Sequence, residues 1–170
     1  MKPKLSKLKK RQADVNSTYW RARADKVWSE VVRNRAGNKC EVCRSADHVQ
    51  AHHLVDRSVW QLRHDVENGL CLCPLHHKYS RFVSAHKGGL QFFYWLYTRD
   101  QFRVKLLLAQ LEDIQMSIAP EYAANDPLPT KNYKLAYEML TEMSQYDPKK
   151  AAANAGAETF RNKTLTSGSS

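Results

Sequence analysis

Apolar residues recur at helical spacing along several stretches of this chain, and short apolar runs lie between them. Trp20, Ala24, Val27, Trp28 and Val31 fall three or four apart, which predicts an amphipathic helix. Asn16, Ser17 and Thr18 offer caps at its start, and Gly37-Asn38 can end it. The stripe reads as core, and Arg21, Arg23, Arg33 and Arg35 are left for the other face. Short strands are expected around Val49–Leu54 and Leu70–Cys73. Pro74 suits the first position of a helix, which is expected to run to about Ala85. Leu90 to Leu96, with Phe92, Phe93, Tyr94 and Trp95 between, predicts a buried aromatic helix under the fold.

Beyond Asp100 the pattern becomes purely helical. Val104, Leu107, Leu108, Leu111, Ile114 and Ile118 form one stripe on a long helix that Pro120 stops. A linker runs through Asn125-Asp126-Pro127-Leu128-Pro129, and Thr130 can cap a second helix carrying Tyr133, Tyr137, Leu140 and Met143 on one face. Those two helices could pair as a hairpin, pack on the preceding domain, or form a seam with a second copy or another protein; periodicity does not choose. The expected organisation is a basic flexible arm over 1–15, a domain over 16–99, a helical extension over 100–146 and a disordered tail over 147–170. The fold class is α+β, mainly helical.

At 170 residues, with 42% hydrophobic and 10% aromatic side chains, the chain can build one proper core. No apolar run approaches the roughly 20 residues of a membrane span, and no cleavable leader is read, so a soluble, intracellular protein with no membrane partner is expected. The net charge is +10, and its distribution changes the picture. Residues 1–63 hold fifteen Lys or Arg against six Asp or Glu, whereas residues 64–146 hold eight against nine. A basic patch of this kind attracts polyanions, and Lys7, Lys9, Lys10 and Arg11 are candidate contacts to DNA. In the long Val55–Glu67 segment, Arg57 and Arg63 could meet phosphate, and Trp60 could stack on a base or plug the core.

Cys40-x-x-Cys43 and Cys73-x-x-His76 are two tight pairs with the spacing of a structural zinc site. A set of Cys40, Cys43, Cys71 and Cys73 would also supply four ligands, although the histidine version keeps the two-residue spacer at both ends. Close cysteine pairs in an intracellular chain read as metal ligands and not as disulfides. Between the half-sites lie His52 and His53, which alternate to opposite faces of a strand and so divide between binding a metal and addressing substrate or water. His77, near the start of the expected helix, can meet His52, and a helix N-terminus there would favour phosphate. His86 reads as a helix-end residue more than as a third ligand.

Taken together, Cys40-x-x-Cys43, Ala51-His52-His53-Leu54, Asn68-Gly69-Leu70-Cys71-Leu72-Cys73 and His76-His77 resemble the HNH nucleases, the ββα-metal endonucleases, over about residues 38 to 98. The resemblance implies that His52 and His77 hold one catalytic divalent cation (Mg²⁺, Mn²⁺, Ni²⁺ or Zn²⁺) beside the structural Zn²⁺. It implies that His53 is the general base that activates water, and that Asn68 ties down the hairpin loop and orients that base. His76 departs from the fourth cysteine of many members. Implied with it are DNA as partner, cleavage to a 3′-hydroxyl and a 5′-phosphate, and small phage or mobile-element proteins in the cytoplasm of a bacterial or phage-infected cell. There the C-terminal helices could serve a homodimer or a phage DNA-processing partner. Gln61-Leu62-Arg63 is similar to a stretch of the lambdoid phage recombination nucleases, which act on branched DNA. A zinc module that only binds nucleic acid would need the Cys/His ligands and the basic arm, but not His52, His53, Asn68 and His77.

Overall fold

The structure is a computed structural model that describes residues 7–118 and 131–145. The expectations placed on Pro120, the 125–129 linker, Thr130 and the tail from 147 lie outside those residues.

Of the segment expected as a basic flexible arm, residues 1–6 lie outside the described ones, and Lys7–Ala13 forms a short helix, α1. It is tied to the following helix because the Ser17 hydroxyl donates to the Arg11 carbonyl, and Trp20 Nε1–H donates to the Gln12 carbonyl at 3.0 Å. Helix α2 (Thr18–Arg35) buries Ala24, Trp28, Val31 and Val32, the side of the helix its apolar spacing picked out. It ends where Gly37 (φ +65°) and Asn38 (φ +53°) turn left-handed. Their N–H groups then close on the Asn34 and Arg33 carbonyls at 2.9 and 2.8 Å, satisfying carbonyls that the helix end would leave unpaired.

The two strands are β1 (Gln50–His53) and β2 (Gly69–Leu72), antiparallel, with Ala51 opposite Cys71, His52 opposite Leu70 and His53 opposite Gly69. Alternation sorts their side chains. Ala51 packs into the cluster of Ala24, Trp28, Val31 and Val32, and Leu70 and Leu72 join Cys40, Cys73, Phe92, Leu96 and Val104 on the other side. The ribbon is therefore covered on both faces.

Helix α3 (Gly89–Arg99) leads directly into α4 (Gln101–Ile118), where the Asp100 carboxylate caps the new helix by accepting the Arg103 N–H at 3.0 Å. The aromatic helix is less buried than its composition predicts. Only Phe92 and Leu96 of α3 are buried, whereas Leu90 and Tyr94 are 79% and 68% exposed. A helix whose ribbon partner covers one side cannot bury residues on all sides. On α4, Val104 and Leu107 are buried and Leu108 is exposed. Helix α5 (Tyr133–Gln145) lies on α2, where Leu140 enters the Trp28 cluster and Arg23 Nη2 donates to the Tyr137 hydroxyl at 2.6 Å. Of the arrangements left open by periodicity, this helix packs on the preceding domain. No helix among the described residues is long and apolar enough to cross a membrane.

The helix expected from Pro74 to Ala85 is a single wide turn, Leu75–Tyr79, closed by Ser80 N–H on the Leu75 carbonyl at 2.7 Å. The reason is visible in its hydrogen bonds. The His76 and His77 carbonyls accept from Ala85 (3.0 Å) and His86 (3.2 Å), so the chain folds back instead of winding on. A turn this short is no helix N-terminus of the kind that binds anions, and that expectation is withdrawn.

Gly69 sets how closely α2 approaches the ribbon. A Cβ there would lie 2.3 Å from Val32 Cγ2 and 3.0 Å from the Trp28 ring. Gly69→Ala is therefore expected to destabilise the fold by about 1–3 kcal/mol, the usual cost of overpacking. Urea unfolding of the variant beside wild type checks it, and an unchanged midpoint would show that α2 can retreat freely.

Candidate active site

Two clusters of metal-type ligands form among the described residues. In the first, Cys40, Cys43, Cys73 and His76 bring one donor atom each to within 4.8 Å of one another. Cys43 Sγ lies 3.8 Å from Cys73 Sγ, and His76 Nδ1 lies 3.3 Å from Cys73 Sγ and 3.7 Å from Cys40 Sγ. A tetrahedron with zinc–sulfur bonds of about 2.3 Å has edges of about 3.8 Å, so the donor set fits zinc. A disulfide would need sulfurs about 2 Å apart, and all four cysteines are free.

The electrostatics agree with a cation site. Burial and the neighbouring thiols push Cys73 up; burial opposes ionisation of Cys40 too, but backbone hydrogen bonds involving Cys73, Cys43 and Val42 outweigh it and draw Cys40 down. Three thiolates this close would repel strongly without a cation among them. Cys71 lies outside the cluster. It is buried opposite Ala51, and burial, with Glu41 and Cys40 adding, pushes its thiol up to about 11. The four-cysteine set does not form.

The second cluster is His52, His77 and His86. The ring centroids of His52 lie 5.0 and 5.2 Å from those of His77 and His86, and His77 Nε2 is 3.3 Å from His86 Nε2. Burial first, and then the positive charge the neighbouring histidines would carry, pushes His52 down to about 3; burial likewise lowers His77. Three imidazoles facing one another are suited to a divalent transition metal, and three protein ligands leave coordination positions open. His77 Nδ1 is 3.0 Å from the Gln50 side-chain oxygen, an arrangement that orients a ligand ring from outside the metal shell. His86 was undervalued from sequence because a helix over 74–85 would have carried it away from His77. The fold-back that brings it in needs Gly88, where a Cβ would lie 2.7 Å from the Ser84 backbone.

His53 points to the other side of the ribbon. Its ring is stacked on Trp28 at 3.8 Å and 12°, and its Nε2 is 2.9 Å from the Arg63 carbonyl. A carbonyl only accepts, so Nε2 carries the hydrogen, and in the neutral ring Nδ1 keeps its lone pair. Burial lowers His53, against the opposing pull of the Arg63 hydrogen bond. A cleft of about 330 Å³ is lined by His52, His53, His77 and His86 together with Asp56 and Arg57. His53 and the three clustered histidines thus open onto one space.

Asn68 is fully buried. Its carbonyl oxygen accepts the Val55 N–H at 2.6 Å, and its amide donates to the Leu62 and Val55 carbonyls at 2.9 and 3.1 Å. One side chain so pins both ends of the segment between the strands. Arg57 is exposed at the cleft. Arg63, expected at phosphate, is instead turned inward onto Asp25, its side chain only 13% exposed. Trp60 is half-buried, with Lys131 Nζ 5.8 Å from its ring. Lys7, Lys9, Lys10 and Arg11 all lie exposed on α1.

Residues 40–80 match the family model of the HNH endonucleases. No curated protein and no solved structure matches it. The match begins and ends beside the residues just described, from Cys40 to the turn that carries His76 and His77.

Cys40→Ser and Cys73→Ser are expected to lose both zinc and cooperative folding, because metal binding at such a site is largely folding free energy. Cys71→Ser, outside the cluster, should keep its zinc. Elemental analysis of the purified proteins with thermal melts reads both outcomes, and a folded, zinc-free wild type would refute the assignment.

Proposed function

We propose that this protein, whose residues 40–80 match the HNH endonuclease family model, is a metal-dependent endonuclease that nicks or cuts DNA at the cleft between His53 and the three-histidine cluster. The observation that carries the reading is the state of His53. It is a neutral ring with Nε2–H committed to a backbone carbonyl, held flat against Trp28 and open to the same cleft as His52, His77 and His86.

His53 Nδ1 is the atom that accepts the proton of the attacking water, a task suited to an imidazole held neutral near physiological pH. His52, His77 and His86 would hold the catalytic cation, which when bound polarises the scissile phosphate and stabilises charge on the leaving oxygen. Their neutral donors add no negative charge to a site that must admit a phosphodiester. Asn68 keeps the segment between the strands at a fixed distance from β1, so the carbonyl that orients His53 stays in place. Arg57 at the rim and the basic residues of α1 and α2 draw the polyanion in. Cys40, Cys43, Cys73 and His76 would hold a structural zinc that staples the ribbon to the turn bearing His77. A module that merely binds nucleic acid has no use for a stacked, tautomer-fixed histidine beside a second metal cluster.

Nicking of supercoiled plasmid with Mg²⁺, Mn²⁺ or Ni²⁺, against an EDTA control, tests the activity. His53→Ala is expected to keep its cation affinity and lose roughly 10²–10⁴ in single-turnover rate, the usual worth of a positioned general base. His52→Ala and His86→Ala should instead weaken cation binding in a calorimetric titration, with part of the rate recovered at higher metal concentration. Loss of the cation in His53→Ala and its retention in His52→Ala would invert the roles.

A further inference from the structure

The base-orienting carbonyl belongs to the peptide unit that joins Arg63 to His64, and both flanking side chains end on a single carboxylate. Arg63 Nε and Nη2 each lie 2.8 Å from Asp25, one on each oxygen, and His64 Nε2 lies 2.8 Å from Asp25 Oδ1. A third contact, Arg63 Nη1 to the Arg57 carbonyl at 3.0 Å, holds the guanidinium in its plane. Resting on the reading of His53 as the base, we infer that Asp25 of α2 is a positioning residue for the reaction: it clamps the Arg63–His64 peptide so that its carbonyl receives the His53 Nε2 proton.

The geometry gives the clamp a purpose beyond stability. Anchoring both flanking side chains on Asp25 fixes the chain on either side of the Arg63–His64 peptide, so the segment cannot drift and carry its carbonyl away from His53. With both held, the carbonyl stays 2.9 Å from His53 Nε2, and the ring is kept in the tautomer that leaves Nδ1 free. Trp28, three residues along the same helix, covers the His53 ring and donates Nε1–H to the next carbonyl, that of Asp65, at 2.8 Å. Helix α2 therefore grips three consecutive residues, Arg63, His64 and Asp65, and also stacks on the base. The Asn68 amide holds the carbonyl just before them, that of Leu62. Arg63 and His64 are shielded, with side chains 13% and 9% exposed, and they meet a carboxylate that is 35% exposed; charge-assisted hydrogen bonds of this kind are stronger than neutral ones. Burial opposes ionisation of Asp25, yet hydrogen bonds from Arg63 and then His64 hold its carboxyl well below the usual range.

Asp25→Asn keeps the shape of the side chain and removes its charge and one acceptor. Full-length Asp25→Asn is expected to lose on the order of 10–100-fold in single-turnover nicking rate, as partners that orient a functional histidine generally do. Apparent KM for plasmid DNA and calorimetric affinity for Mn²⁺ should stay unchanged. Two readouts separate this from a merely structural ion pair. In ¹⁵N-labelled protein, the His53 ring should show the Nε2–H tautomer in wild type and a mixture in Asp25→Asn. In a His53→Ala background, Asp25→Asn should cost nothing further.

A folded Asp25→Asn with wild-type rate, or an equal loss with and without His53, overturns the clamp while the base reading stands. A wild-type rate in His53→Ala overturns the base reading and the clamp with it. Should Asp25→Asn fail to fold, Arg63→Gln releases one end of the same peptide and carries the same test, with the same expected losses and tautomer change.

Discussion

A two-stranded ribbon of four residues per strand buries too little surface to stand alone in water. The pairing of His52 with Leu70 and of His53 with Gly69 therefore depends on what covers the ribbon. On one face α2 comes close enough to touch because position 69 has no side chain. On the other, Phe92, Leu96 and Val104 close over Leu70 and Leu72. At the end of β2, the sulfurs of Cys40, Cys43 and Cys73 converge with His76. These three supports fix the register, and a slip of one residue would exchange the faces of His52 and His53.

Separating those neighbours places two different chemistries within one cleft. The side of β1 facing α3 is where three imidazoles meet, in surroundings that disfavour a proton on His52 and His77. The side facing α2 offers a flat indole and an aligned carbonyl, which orient a single ring and decide which nitrogen bears hydrogen. The same strand alternation that lets a ribbon be half core here keeps His53 apart from the cluster of His52, His77 and His86.

The segment between the strands is the least regular part of this arrangement and the most heavily tied. Asn68 holds it from inside, Asp25 and Trp28 from α2, and Gln110 of α4 donates to the Asp65 carboxylate at 2.9 Å. Helices outside the family-matched segment thus reach the loop between its strands. Arg103 of α4, nearly buried, is ion-paired to Glu41, Glu67 and Asp100, and so links the knuckle loop, the base of β2 and the start of α4. The chain beyond residue 80 is accordingly part of the support of the site.

The residue types of both clusters were legible in the sequence because their spacing is local. A two-residue spacer between thiol or imidazole ligands, adjacent histidines on a strand, and an asparagine before a glycine each carry their meaning within a few residues. The helical stripe of α2 and the short strands were legible for the same reason, since period and capping are nearest-neighbour properties. What tertiary structure decided was every matter of distance between segments. Sequence placed His86 at the end of a helix; backbone hydrogen bonds to His76 and His77 stopped that helix and delivered His86 to the cluster. Arg63 read as a phosphate contact because a loop arginine usually faces solvent, and only the approach of α2 showed Asp25 waiting for it. Periodicity left α5 without a partner, and packing against Ala24 and Trp28 supplied one. Pairings of this kind depend on contacts between residues far apart in the chain, which no local pattern encodes.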